Sequence, residues 1–275
     1  MELGVCVVHG HKPLEEAFRS VAEMGFSSCQ LLGWDRSLWT DDEAIRIREM
    51  MLKYKVNISA FWCGWQGPAI WDFCDGPETL GLVPTTYRYA RMQDLMDGSD
   101  FAKKLDVIDV ATHIGFIPEN MHDPNYAGLV SAVKAVADHF QKNGQYLLFE
   151  TGQETPVTLL RLMEDSQCNN LGVNLDPANF ILYGKANPVD ALDVIGKYVR
   201  GVHAKDGKYP VNGKYLGTEV AIGQGKVDFE KLLSKLHELN YKGSITIERE
   251  IDGDQQIKDI LEAKVYLQKI INNLK

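Results

Sequence analysis

The chain has 275 residues, 45% of them hydrophobic and 24% charged, a globular composition long enough to bury a substantial core without staples. A formal net charge of −9 and a pI near 5.3 argue against a basic nucleic-acid footprint and leave a small polar or neutral ligand open. Five scattered cysteines without a CxxC pair fit a reducing compartment, and no apolar stretch approaches the ~20 residues of a membrane span. The N-terminus, "MELGVCVVHGHK", lacks the basic and apolar regions of a signal peptide, so a cytoplasmic location is expected.

Strand and helix patterns alternate from end to end. "LGVCVVH" reads as a first strand, followed by the helix "PLEEAFRSVAEMG" with Pro13 early and Gly25 at its end. "SSCQLLG" precedes "TDDEAIRIREMMLKY", which opens on a Thr or Asp cap and an acidic first turn. "NISAFWCGW" is a third strand, followed by an insertion over residues 66–84 and a helical stretch to Lys104. "VIDVATHIG" and the amphipathic "DPNYAGLVSAVKAVADHFQKNG" make the fourth unit.

The second half keeps the rhythm: "QYLLFETG" with "TPVTLLRLMEDS", "NLGVNLDP" with "NPVDALDVIGKY", and "VRGVHAKD" with "DFEKLLSKLHELNY". "GSITIERE" then precedes a helix from about residue 255 to 274. Alternating elements call for a parallel sheet, and eight units in one chain is the count of a closed α/β barrel, (β/α)8, spanning 1–275 as a single domain. The alternative is a doubly wound open sheet, which usually places GxGxxG after its first strand; that motif is missing here.

Side-chain parity along the later strands is informative, because alternate residues face opposite sides. Leu147 and Phe149 share one face and Glu150 takes the other; Leu171, Val173 and Leu175 oppose Gly172, Asn174 and Asp176. His203 alternates with Val202 and Ala204, although Arg200 spoils the pattern, and Glu248 opposes Ile245 and Ile247. Glu150, Asp176, His203 and Glu248 therefore point inward at the C-terminal strand ends, where barrel enzymes carry their sites. Taken singly, a strand-end carboxylate usually caps the next helix. Three converging carboxylates repel one another, whereas a divalent cation removes that cost and a neutral His203 adds a nitrogen ligand. Three oxygen donors and one nitrogen suit Mn²⁺, Mg²⁺ or Co²⁺ at least as well as Zn²⁺, and Mn²⁺ is the ion expected.

The order Glu, Asp, His, Glu, with the blocks "FETGQET", "VNLDPAN", "GVHAKDG", "IGQGKVDF" and "TIEREI", resembles the xylose-isomerase-like TIM-barrel superfamily in its sugar phosphate isomerase/epimerase branch. The superfamily holds ketose epimerases, hydroxypyruvate isomerases, inosose isomerases and dehydratases, dehydroshikimate dehydratases and endonuclease IV repair enzymes. The resemblance covers nearly the whole chain. It implies that Glu150, Asp176, His203 and Glu248 hold one divalent ion, that Glu150 and Glu248 do the proton chemistry, and that the protein forms a homodimer or homotetramer. Two departures stand out. The epimerase pattern has a His in DPxH, where this chain has Asn179, which cannot titrate near neutral pH. The repair branch needs a His cluster for several zinc ions; His113 is present, but Asn179 and "FWCGW" stand where further His residues are expected.

Such a site removes a proton beside a carbonyl, with the metal spreading the enediolate charge and a carboxylate acting as base. Return of the proton to the opposite face gives epimerisation, and return to the neighbouring carbon gives isomerisation. Loss of a β-substituent instead makes the chain a keto-sugar lyase or dehydratase, the alternative reading; AP endonuclease activity is the remote one. The expected partner is a small sugar or sugar-derived ketone, with neither nucleic acid nor membrane. Candidate substrate contacts are His9, Trp62, His113, Glu154, Asn179 and Lys205, each weighed against a structural role. Trp65 joins Trp62 as a candidate apolar wall, and Glu250 returns to the inward side without an assigned role. The glycines of "GTEVAIGQGKVDF" suggest either a phosphate nest or, preferably, a flexible loop closing over the barrel mouth.

Overall fold

The computed structural model describes residues 1–274. Eight parallel strands close a barrel: β1 (Glu2–Val8), β2 (Ser28–Gly33), β3 (Asn57–Cys63), β4 (Asp109–Thr112), β5 (Tyr146–Glu150), β6 (Leu171–Leu175), β7 (Val199–Ala204) and β10 (Ser244–Ile247). Between the last two lies a small antiparallel hairpin, β8 (Asp206–Lys208) with β9 (Thr218–Val220). Closure is made by β10 against β1, with Glu2 opposite Ser244 and Val5 opposite Ile247. The helices are α1 (Leu14–Glu23), α2 (Asp41–Tyr54), α3 (Gly76–Thr79), α4 (Thr85–Lys104), α5 (Pro124–Lys142), α6 (Pro156–Ser166), α7 (Pro177–Leu182), α8 (Pro188–Ile195), α9 (Phe229–Glu238) and α10 (Asp254–Asn273). The fold is the (β/α)8 barrel that the alternation predicts.

The main core lies between strands and helices. Leu147, Phe149, Val173, Leu175, Val202, Ile245 and Ile247 all belong to it, which places the apolar parity on the helix side. Inside the barrel a smaller cluster of Leu32, Trp62, Ala111 and Leu148 fills the space beneath the strand ends. Local signals set the helix starts. The Thr40 hydroxyl accepts the Glu43 N–H at 3.2 Å to open α2, and Thr155 accepts the Thr158 N–H at 3.3 Å to open α6.

Three features depart from the sequence reading. The first is α7, which the strand–helix alternation does not anticipate: Asp176 accepts the Asn179 N–H at 2.9 Å and Pro177 occupies the first turn, so a helix starts at the strand end. The second is Arg200. A bulge between Val173 and Asn174 shifts the pairing from Val199 to Gly201, which lets the Arg200 side chain out of the alternation. It binds Asp109 at 2.6 Å and lies 3.6 Å from the Tyr146 ring centroid.

The third is "GTEVAIGQGKVDF", expected as a flexible flap or phosphate nest. Part of it is strand β9, and its donors converge on the chain's own Asp206. That carboxylate accepts N–H groups of Gly223, Gly225 and Val227 at 2.9, 2.9 and 3.1 Å. A Cβ on Gly225 would collide with Asp206 Oδ1, so the close approach requires glycine. The nest is filled from within, and the segment is tied down by it.

The insertion over residues 66–84 is fastened by Arg91 of α4. Its guanidinium, fully buried, donates to the carbonyls of Gln66, Pro68, Thr79 and Gly81 at 3.2, 2.8, 2.8 and 2.8 Å. It sits between Trp65 and Tyr87, 5.3 and 4.6 Å from their ring centroids.

Candidate metal and proton-transfer site

Four side chains from β5 to β10 meet at the C-terminal end of the barrel. Glu150 ends β5, Asp176 follows β6, His203 lies in β7 and Glu248 follows β10, whose ladder continues through the Glu248 N–H to the Ala204 carbonyl at 3.0 Å. One ligand atom from each of the four lies within 4.8 Å of the others. His203 Nδ1 stands 3.3 Å from Glu150 Oε1, 3.4 Å from Glu248 Oε2 and 4.0 Å from Asp176 Oδ2.

The electrostatics of this cluster favour a cation. His203 Nδ1 and Asp176 Oδ2 are buried without a hydrogen-bond partner, and Glu248 Oε2 has only the Lys205 ion pair, an expensive arrangement for polar atoms facing one space. Burial, opposed by Lys205 and reinforced by Glu248 and Glu150, pushes the Asp176 carboxyl up to about 7. Burial also acts to raise Glu150 and Glu248, but their cationic neighbours prevail. His113 and His203 hold Glu150 well below the usual carboxylate range, and Lys205 and His203 hold Glu248 at about 2. A divalent ion among these donors would satisfy His203 Nδ1 and Asp176 Oδ2 and remove the penalty on ionised Asp176. The residues fit it.

The family described as xylose isomerase-like TIM barrel matches residues 18–270. The chain belongs to it. The crystal structure of a xylose isomerase domain protein from Planctomyces limnophilus superposes with a TM-score of 0.93 at 34% identity, covering 99% of this chain and 98% of that one. An uncharacterised protein of Methanocaldococcus jannaschii is 29% identical over 67% of this chain, and the inosose dehydratase of Geobacillus kaustophilus 26% identical over 57%. Those matches span 63% and 56% of the two relatives' own lengths.

In this xylose isomerase-like barrel, four of the six expected substrate contacts surround the ligand cluster. The Trp62 indole N–H donates to Glu150 Oε2, and Asn179 Nδ2 donates to Glu150 Oε1 at 3.3 Å. His113 Nε2 lies 3.4 Å from the same Oε1. Lys205 Nζ sits among three carboxylates, 3.6 Å from Asp176, 3.1 Å from Glu248 and 3.0 Å from Glu250, which gives Glu250 a partner. Trp62, His113, Asn179 and Lys205 all line a cavity of about 1130 Å³ that contains Glu150 and Glu248 and extends along a seam between α1 and α10.

The other two lie outside the cavity lining. His9 Nε2 pairs with Glu43 of α2 at 2.9 Å, and its ring stacks on Phe101 at 6.3 Å. His9 thus joins β1 to the helix layer. Glu154 is buried in the turn after β5 with one oxygen unpartnered, and burial pushes its carboxyl up to about 7. It does not cap α6, since Thr155 does.

Gln30 is a neighbour that sequence reasoning passed over. Its Oε1 accepts from His203 Nε2, while its own Nε2 donates to Asn174 Oδ1 at 3.3 Å. With Nε2 protonated, His203 presents the Nδ1 lone pair to the carboxylate cluster. The available signal was an amide inside the apolar strand "SSCQLLG". Trp34 and Trp71 also line the cavity and carried no signal beyond their residue type.

Proposed function

We propose that this chain is a divalent-metal-dependent isomerase or epimerase of a sugar or sugar-derived ketone. The observation that carries the reading is the convergence of Glu150 and Glu248 with two buried ligand atoms that lack hydrogen-bond partners, His203 Nδ1 and Asp176 Oδ2. An ion bound there, Mn²⁺ by preference, would supply the positive charge that acidifies a C–H bond next to a carbonyl. The protein's own groups then handle the proton. Glu150, kept ionised by neighbouring His113 and by the ion's own charge, is available as a base, and the Trp62 and Asn179 donors fix the direction its oxygens face. Glu248, kept ionised by Lys205, flanks the same space from β10. In isomerisation the carboxylate that takes the proton gives it back to the adjacent carbon; in epimerisation the opposite face receives a proton that the second carboxylate has taken up from solvent, and the first carboxylate releases its own to solvent. Trp62 and Leu148 close the space from below and keep bulk water from the reacting carbon.

The likeness to an inosose dehydratase favours a second reading, elimination of water or a glycosyl group from the β carbon after the same proton abstraction. Metal content per chain, measured by elemental analysis for the wild type and His203→Ala, tests the site. About one divalent ion in the wild type and none in the variant is expected. Ketoses incubated with the loaded enzyme in deuterated water should then gain solvent deuterium at the carbon beside the carbonyl, and Glu150→Gln or Glu248→Gln should lose about 10²-fold or more of that rate. Unchanged product mass, apart from deuterium, selects isomerase or epimerase; loss of water or of a fragment selects the lyase. A wild type that holds no metal after reloading would end the reading, and several zinc ions per chain would redirect it to phosphodiester cleavage.

A further inference from the structure

Glu150 and Glu248 form the floor of the cavity, with Asp176 and His203 buried behind them, and its wall is aromatic. Trp34 stands 4.9 Å from Trp62 and 5.4 Å from Trp65, and Trp65 stands 6.4 Å from Trp71, ring centroid to ring centroid. Trp71 in turn meets His113 at 5.0 Å. The row begins at the candidate base, because Trp62 is buried and donates to Glu150. Trp34 and Trp71 stand one ring further from Glu150, and they are 38% and 39% exposed. One sugar ring over the ligands is covered by Trp62. The free faces of Trp34 and Trp71 are apolar surface that such a ring leaves unused.

Both side chains are held in place rather than left to swing. Trp34 packs over Gly64, where a Cβ would come within 2.6 Å of its ring. On either side of Trp71 the backbone is anchored: the Ile70 N–H binds Thr79 Oγ1 at 3.1 Å, and the Asp72 carboxylate accepts the N–H groups of Cys74 and Asp75 at 2.9 and 2.7 Å. Rigid aromatic faces bind a ring at low entropic cost.

Charge decides what kind of appendage fits. Lys205 is committed to Asp176, Glu248 and Glu250, and Arg249 is committed to Glu219 at 3.0 Å and Asp259 at 2.8 Å. Glu250, Asp252 and Asp254 add negative charge to the cavity rim. A phosphate would meet that field with Lys205 and Arg249 already neutralised, and with the one other lysine of the lining, Lys12, shared with Glu16 at 3.9 Å.

Building on the isomerase or epimerase reading above, we infer that the substrate is an uncharged sugar ketone carrying a second ring, with the reacting sugar over the four ligands and the appended ring against Trp34 and Trp71. The same ketose with three kinds of substituent tests this: fructose, fructose 6-phosphate, and the glucosyl-fructoses linked through O3, O4, O5 or O6. Binding to the metal-loaded protein is read by calorimetry and tryptophan fluorescence. At least one linked ketose should bind about tenfold tighter than fructose, the ratio an aromatic contact of ordinary strength provides. The gain should vanish in Trp34→Ala and Trp71→Ala, with their metal content unchanged. Equal affinity for fructose and every linked ketose overturns the inference, as does tightest binding of the phosphate. Should no sugar bind while one metal ion per chain is retained, the inference falls and the metal-site reading stands; should the wild type bind neither metal nor sugar, both fall together.

Discussion

Gln30 reaches from β2 to the far side of the barrel to hold one nitrogen of His203, and its own amide is held by Asn174. On the proposed reading, its substitution would act on a bound ion through His203. Gln30→Leu should weaken metal affinity about 10–100-fold without unfolding the protein, as loss of a ligand's hydrogen-bond partner does elsewhere. Titration of the apo-protein with Mn²⁺ measures it, and equal affinities would leave Gln30 as barrel filling only. Single residues were readable in the sequence to the extent that strand parity governs them. Glu150, Asp176, His203 and Glu248 keep phase with their strands, so inward placement followed from alternation. Gln30 keeps phase too, but an amide in an apolar strand has many possible partners, and the one it finds comes from 173 residues away. Arg200 could not be placed, because a bulge in pairing leaves no mark on composition.

At the scale of elements, the insertion over residues 66–84 is held chiefly by Arg91, with Arg88 donating to the Leu82 and Val83 carbonyls at its end, at 2.7 and 2.6 Å. Arg91 supplies donors to four of its carbonyls, and no carboxylate shares the load at those contacts. Burial lowers the guanidinium pKa to about 10, still charged at neutral pH. Arg91→Leu leaves those carbonyls without donors and should cost about 3 kcal/mol, a large fraction of a typical domain's stability. Thermal unfolding and limited proteolysis should show a lower Tm and a first cut within residues 66–84; a wild-type digestion pattern would show that the insertion is held by other means. Helices with a cap and a periodic face, such as α2 and α5, were plain in the sequence. The short α7 was not, since its only signals are Asp176 and Pro177, and the aspartate reads equally well as a ligand. It is in fact placed for both: Oδ1 caps the helix and Oδ2 faces the cluster.

For the whole molecule, Glu154 links folding to pH. Burial raises its carboxyl to about 7, whereas an unfolded chain gives ~4.3. The folded state thus holds a proton that the unfolded state releases, so this group's contribution declines as pH rises from about 4 to about 7 and is level above. Glu154→Gln should raise Tm relative to wild type at about pH 8 and lose that advantage toward about pH 5. A difference in Tm that stays constant across that range would refute the raised pKa. The barrel itself was legible because eight repeats of one rhythm leave few architectures to choose from. The hairpin of β8 and β9 was not, because glycine-rich segments advertise freedom, and only the fold reveals that Asp206 consumes it.

Arg200 has one more effect, on traffic rather than structure. With Asp109 and Tyr146 it fills the end of the barrel opposite the strand-end ligands, and Leu148 and Ala111 occupy the space between. A cation seated among Glu150, Asp176, His203 and Glu248 and a sugar resting above it would both leave through the cavity at the C-terminal strand ends. Departure then has a fixed order, sugar first and ion second. A chelator in solution would strip the enzyme only as fast as its sugar lets go, so an occupied molecule would keep its metal through conditions that empty an idle one.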